Sequence, residues 1–145
     1  MSQNKPDPLL TTLQELRRIL DANTGVPGSQ WADAVHLALG QLAAAIQEEV
    51  QGAEKTMETV GEINPDLQNT PGAERHIRTK RADLIKLGEQ VHQLRADVRQ
   101  CLQDNSDPTP LRLRGQEICT ALEKVRHREN EFLLTTLNVN PGSGE

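Results

Sequence analysis

Residues 70–110 read TPGAERHIRTKRADLIKLGEQVHQLRADVRQCLQDNSDPTP, and this stretch decides the fold. Ile77, Leu84, Leu87, Val91, Leu94, Val98 and Leu102 recur at intervals of three, four or seven, which puts them on one stripe of a helix. Charged and amide residues fill most of the positions between them. Upstream stands Thr70-Pro71; downstream stand Asp107-Pro108 and Thr109-Pro110. Each is a helix-capping residue type followed by proline, whose missing N–H costs nothing in a first helical turn. The spacing therefore predicts a helix over about 71–104 and the start of another at about 108.

The same punctuation divides the rest of the chain. Asp7-Pro8 opens a helix over about 8–22 that carries Leu9, Leu10, Leu13, Leu16, Ile19 and Leu20. It stops at Thr24-Gly25-Val26-Pro27-Gly28. A second helix is expected over about 29–63, with Trp31, Val35, Ala38, Leu42, Ile46, Ala53, Met57 and Val60 on its stripe. The last is expected over 108–138, with Ile118, Leu122, Val125, Phe132, Leu133 and Thr136, before a frayed tail at 139–145. Gly40, Gly52 and Gly61 weaken the second helix by up to about 1 kcal/mol each, and Gly52 is a candidate bend. The three long segments span roughly 45 Å each. Short connections between long helices favour neighbours that run in opposite directions. The expected fold is thus all-α: one domain, an antiparallel up-down-up-down four-helix bundle with a short first helix.

Composition narrows the function. The chain has 145 residues, of which 35% are hydrophobic and 1% aromatic, the aromatics being Trp31 and Phe132. A β-sandwich or barrel needs more β-branched and aromatic residues than this. A single-stranded nucleic-acid platform needs stacking aromatics, and a net charge of -5 opposes a phosphate-backbone binder. No nucleic acid is expected as partner. No apolar run approaches the roughly 20 residues of a membrane span, and residues 1–8 lack the apolar core of a secretory signal. The protein is expected to be cytoplasmic. Cys101 and Cys119 fit no zinc spacing and are expected to be reduced. No phosphate loop or nucleophile–base pattern is present, so no enzymatic activity and no cofactor are expected.

Three charges interrupt the apolar stripes. Glu49 lies between Ile46 and Ala53, Arg81 between Ile77 and Leu84, and Glu129 between Val125 and Phe132. Counted from the helix ends, the three fall within about one turn of a common depth. They are expected to form a buried charge cluster, with the Arg81 guanidinium between the carboxylates of Glu49 and Glu129; the alternative is that these side chains sit at the stripe edges and reach out to water. His127 and Glu131 are four residues apart, but they lie about 200° round the helix from the Val125 stripe and read as a solvated surface pair. Arg75, Arg78, Lys80, Arg81 and Lys86 form the one basic-leaning stretch and, with alternating acids elsewhere, read as a solvated face.

The fragments Trp31-Ala32-Asp33-Ala34-Val35, 57–67 (ending Asn64-Pro65-Asp66-Leu67) and 126–137, followed by Asn138-Val139-Asn140-Pro141-Gly142, resemble bacterial hemerythrin-like (HHE cation-binding) domains. The resemblance runs from Trp31 to the end and rests on spacing and the closing motif. It implies a four-helix bundle with a di-iron site built from a His on the first helix, His-x-x-x-Glu on the second, His on the third, and His-x-x-x-Glu or Asp on the fourth. Those positions fall here on Glu49 and Ala53, on Arg81, and on Val125 and Glu129, with no His in the first helix. Only carboxylates survive, and an arginine cannot be titrated away from a bound dication. The resemblance implies the fold together with a lost metal site, Arg81 replacing the metal's charge. The expected function is a metal-free protein-binding, scaffolding or regulatory module whose partner is another protein or a second copy. The alternative is a di-iron or oxygen-binding protein with a rearranged ligand set, and a third reading is a ligand pocket left where the metal was.

Overall fold

Asp7 and Pro8 open the first helix as their chemistry requires. In the computed structural model, which describes residues 7–22, 28–63 and 72–139 (side chains at 28, 29, 57–63 and 136–139 excepted), α1 spans Pro8–Asp21. Asp7 Oδ1 accepts from the Leu10 N–H at 3.3 Å, and Asp7 O accepts from Thr11 N–H at 2.9 Å. Leu9, Leu13, Leu16 and Leu20 are buried along one stripe, each contributing about 2 kcal/mol of apolar transfer. α2 spans Gly28–Ile63, α3 Ala73–Asp104 and α4 Thr109–Val139. There is no strand among the described residues.

The helix ends differ in detail from the expected punctuation. α3 begins at Ala73, after Gly72, whose φ of +87° lies in the left-handed region that glycine enters without strain. Thr70 and Pro71 lie outside the described residues. At the other end Asn105 also turns left-handed (φ 55°), with Asn105 N–H on Leu102 O at 3.4 Å and Ser106 N–H on Cys101 O at 3.1 Å. These bonds return to orphan carbonyls of the last turn. α4 then starts at Thr109, where Asp107 Oδ1 accepts from both the N–H and the hydroxyl of Thr109.

α1 touches α2 and α4, and α3 touches the same two helices. The four pack around one apolar core, with α2 and α4 on opposite corners. α2 buries Ala32, Leu39, Ala45 and Val50 in addition to its expected stripe, because it packs against α1 on one side and α3 on the other. Glycines allow two close approaches. The Arg95 guanidinium lies over Gly40 and donates to His36 O at 3.2 Å. Leu20 fills the space beside Gly115.

Some expected core positions are not in the core. Leu102 is 37% and Leu133 49% exposed, while Ile77 and Phe132 are only half-buried. Leu102 sits in the last turn before the chain reverses at Asn105. Ile77, Phe132 and Leu133 lie beyond the level at which α1 begins, because Asp7 meets α4 at Arg126. From there on α4 has no first helix to pack against. Met57, Val60, Thr136 and most of the expected frayed tail fall outside the described side chains or residues.

Candidate functional site

Four helices meet in a charged layer at the level where α1 starts. α2 supplies Glu49, α3 supplies Lys80, α4 supplies Arg126 and Glu129, and α1 supplies its own N-cap, Asp7. Lys80 Nζ stands 2.6 Å from Glu129 Oε2 and 3.2 Å from Glu49 Oε1. Arg126 Nη2 donates to Glu49 Oε2 at 3.1 Å and to Asp7 Oδ1 at 3.0 Å. Its Nη1 donates to Glu129 Oε1 and, at 3.4 Å, to Glu49 Oε1. Two cations therefore engage all four oxygens of Glu49 and Glu129. The opposite corners α2 and α4 are joined through Arg126 and Glu49.

The layer is partly shielded. Lys80 and Arg126 side chains are 13% and 14% exposed, and Glu49 and Glu129 23% and 21%. Burial alone would raise the Glu49 carboxyl, but the hydrogen bond and charge of Arg126, helped by Lys80, outweigh it and hold the group below its usual range. Burial works against the charge on Arg126, and Glu49, Asp7 and Glu129 more than restore it, so its pKa rises. One donor is unmet: Arg126 Nε is buried without a partner.

Sequence reasoning placed Glu49, Arg81 and Glu129 together. The structure brings Glu49 and Glu129 to the same two cations, but Arg81 turns to Glu54, with Nε–Oε2 at 2.8 Å and Nη2–Oε2 at 2.6 Å. One residue is about 100° of helix. That step separates Lys80, which lies four before Leu84 and seven before Leu87 and looks inward, from Arg81, which reaches the outer edge of α2. The Val125–Glu129 spacing does not point to Arg126. The available signal was Cys119, Leu122, Arg126 and Glu129, a run of three, four and three residues along one face of α4.

An open cavity of about 260 Å³ adjoins the layer, lined by Glu49, Gly52, Ala53, His76, Lys80 and Glu129 among others. His76 stacks on Phe132 with ring centroids 4.2 Å apart and planes 6° from parallel. Burial lowers its pKa; Glu129 opposes this, while Lys80 and Arg128 act in the same direction as burial. Both glutamate carboxylates of the layer are engaged by the cations of Lys80 and Arg126. No group of three or more potential ligands is placed for a metal among the described residues.

The other singled-out residues stand apart from the layer. His127 and Glu131 form an exposed pair at 3.1 Å, 70% and 65% accessible. Cys101 is half-buried and donates to Ser106 O at 3.2 Å. Cys119 is buried under α1, and desolvation pushes its thiol up to about 11.

No family model, curated protein or solved structure matches the chain. No helix among the described residues is long and apolar enough to cross a membrane.

Proposed function

We propose that the chain is an antiparallel up-down-up-down bundle of hemerythrin-like ancestry, metal-free and cytoplasmic, that serves as a non-enzymatic protein-interaction module. The observation that carries this reading is the Lys80–Arg126 pair set between Glu49 and Glu129. Where a di-metal protein would place its dications, two side-chain cations already neutralise the carboxylates. The arrangement is also poorly suited to proton transfer. A general base works best with a pKa near the operating pH, and Glu49 is held in the opposite direction.

The antiparallel reading is supported by the order of contacts. Along α2 and α3 the pairs Gly40 with Arg95, Ile46 with Gly88 and Glu54 with Arg81 rise in one helix as they fall in the other. Along α3 and α4 the pairs Lys80 with Glu129, Asp83 with Arg128 and Asp97 with Arg114 do the same.

The test is metal analysis of the full chain purified from iron-supplemented cells, with absorption spectra on the same sample. Iron well below stoichiometric, with no near-ultraviolet charge-transfer band, is expected. Stoichiometric iron with such a band would overturn the reading in favour of a di-iron or oxygen-binding protein.

A further inference from the structure

The groove between α3 and α4 has features the charged layer does not use. It is a cavity of about 580 Å³ open to solvent, and every residue lining it comes from those two helices. Leu87 and Val125 are buried at its floor, with Ala121 beside them. Lys86, Lys124 and Arg128 stand at its rim. Smaller cavities continue it past Thr79 at one end and past Gln93 and Ile118 at the other. From Thr79 to Gln93 is roughly 20 Å, or about four helical turns.

The charge of this groove is opposite to that of the chain. Arg128 is neutralised by Asp83 at 2.7 Å, and Arg114 by Asp97 at 2.8 Å. Among the described residues no ion pair takes up Lys86 or Lys124. Glu117 supplies a carboxylate only at the far end. Two free cations thus flank an apolar floor on a molecule of net charge -5.

The geometry points to an acidic amphipathic helix of a partner protein as the occupant of the α3–α4 groove. Its apolar face would lie on Leu87, Ala121 and Val125, and its flanking carboxylates would meet Lys86 and Lys124. Complementary charge favours this sign of partner and disfavours the opposite one. A groove between two helices, about four turns long and offering no sheet edge, suits a helix rather than an added strand. This inference rests on the protein-interaction reading above and names the surface and the class of partner.

The experiment uses the full chain and two fluorescein-labelled amphipathic peptides about four turns long. One carries Leu on its apolar face flanked by Glu; its twin carries Lys at every Glu. By fluorescence anisotropy the acidic peptide should bind in preference to its twin and weaken as salt is raised. Lys86→Glu with Lys124→Glu should weaken the acidic peptide by about tenfold or more and shift preference to the basic twin. That gain also shows that the variant is folded. Absent binding, equal binding of both peptides, or an acidic peptide indifferent to the charge reversal would overturn the proposal. So would self-association in sedimentation that the charge reversal abolishes, since it would assign the groove to a second copy. The two readings fail separately: iron content of the same preparations decides the metal-free reading, and cross-linking of the acidic peptide elsewhere on the bundle would remove the groove alone.

Discussion

Arg126 on α4 donates to Asp7 at 3.0 Å, on the same carboxylate oxygen that accepts from the Leu10 N–H at 3.3 Å. The N-cap of α1 is thereby tied to the Glu49–Lys80–Glu129 layer. Arg126→Ala would free that cap and leave Glu49 and Glu129 with Lys80 alone. Breaking a fully buried ion cluster costs about 3–5 kcal/mol; partial exposure reduces this, so a loss of about 1–3 kcal/mol is expected. Replacing Glu49, Lys80, Arg126 and Glu129 together by Leu or Met should come within about 1 kcal/mol of the parent, because the one charge left without its cation, Asp7, is a third exposed and still caps Leu10 N–H. Urea denaturation of both variants measures this. A neutral Arg126→Ala would show that Arg126 contributes nothing to stability.

Much of this architecture is legible in the chain because local chemistry dictates it. Asp7-Pro8, the Leu9–Leu13–Leu16–Leu20 stripe and the Leu84–Val98 run need no tertiary information to specify helices with one apolar face. The charged layer is harder to read. That Glu49 and Glu129 interrupt apolar stripes is visible, but which cation answers them depends on helix rotation. A shift of one residue between Lys80 and Arg81 exchanges the cluster for the edge of α2. Leu133 misleads for a similar reason: its spacing is that of a core residue, and only the level at which α1 starts decides whether a neighbour exists to cover it.

Acid should weaken the fold in two steps. His76 and His36 are both held below their ordinary value of 6.5, principally by burial. Lowered in the folded state, each contributes stability that is full above that value and is lost as pH falls through it, because the unfolded chain takes up the proton first. Glu49, held below its ordinary 4.5 although burial opposes this, loses its contribution in a second window that begins near that value. Stability against urea, measured from neutral pH downward, should show both declines. His76→Gln should reduce the upper one and Glu49→Gln the lower. A flat profile from neutral pH to about pH 5 would refute the histidine part.

The helical glycines should respond to alanine with opposite signs. A Cβ at Gly52 would meet nothing within 4 Å, so Gly52→Ala should stabilise by about 0.5–1 kcal/mol through helix propensity. At Gly115 the same Cβ would come within 2.7 Å of Leu20 Cδ1, a buried core atom. Gly115→Ala should therefore push Leu20 aside and destabilise by about 1–3 kcal/mol, as overpacking does. At Gly40 the neighbour is the flexible end of Arg95, which can withdraw, so the change there should be small. Thermal melts of the three variants give the order, and a stabilising Gly115→Ala would contradict the close packing of α1 on α4.

The two thiols should separate kinetically. Cys119 is 0% exposed, its Sγ 3.9 Å from Leu13 O under α1, and its pKa is pushed up to about 11. At pH 8 about one molecule in a thousand would carry that thiolate even before access is considered. Cys101 is half-buried at the end of α3. A disulfide reagent should accordingly titrate one thiol quickly in the native protein and the second only as fast as α1 lifts from α4. Gly52→Ala should leave the slow phase unchanged if lifting is local and slow it if the whole bundle must open, because only global opening unwinds α2. Simultaneous reaction of both thiols at the fast rate would show that α1 does not seal the core.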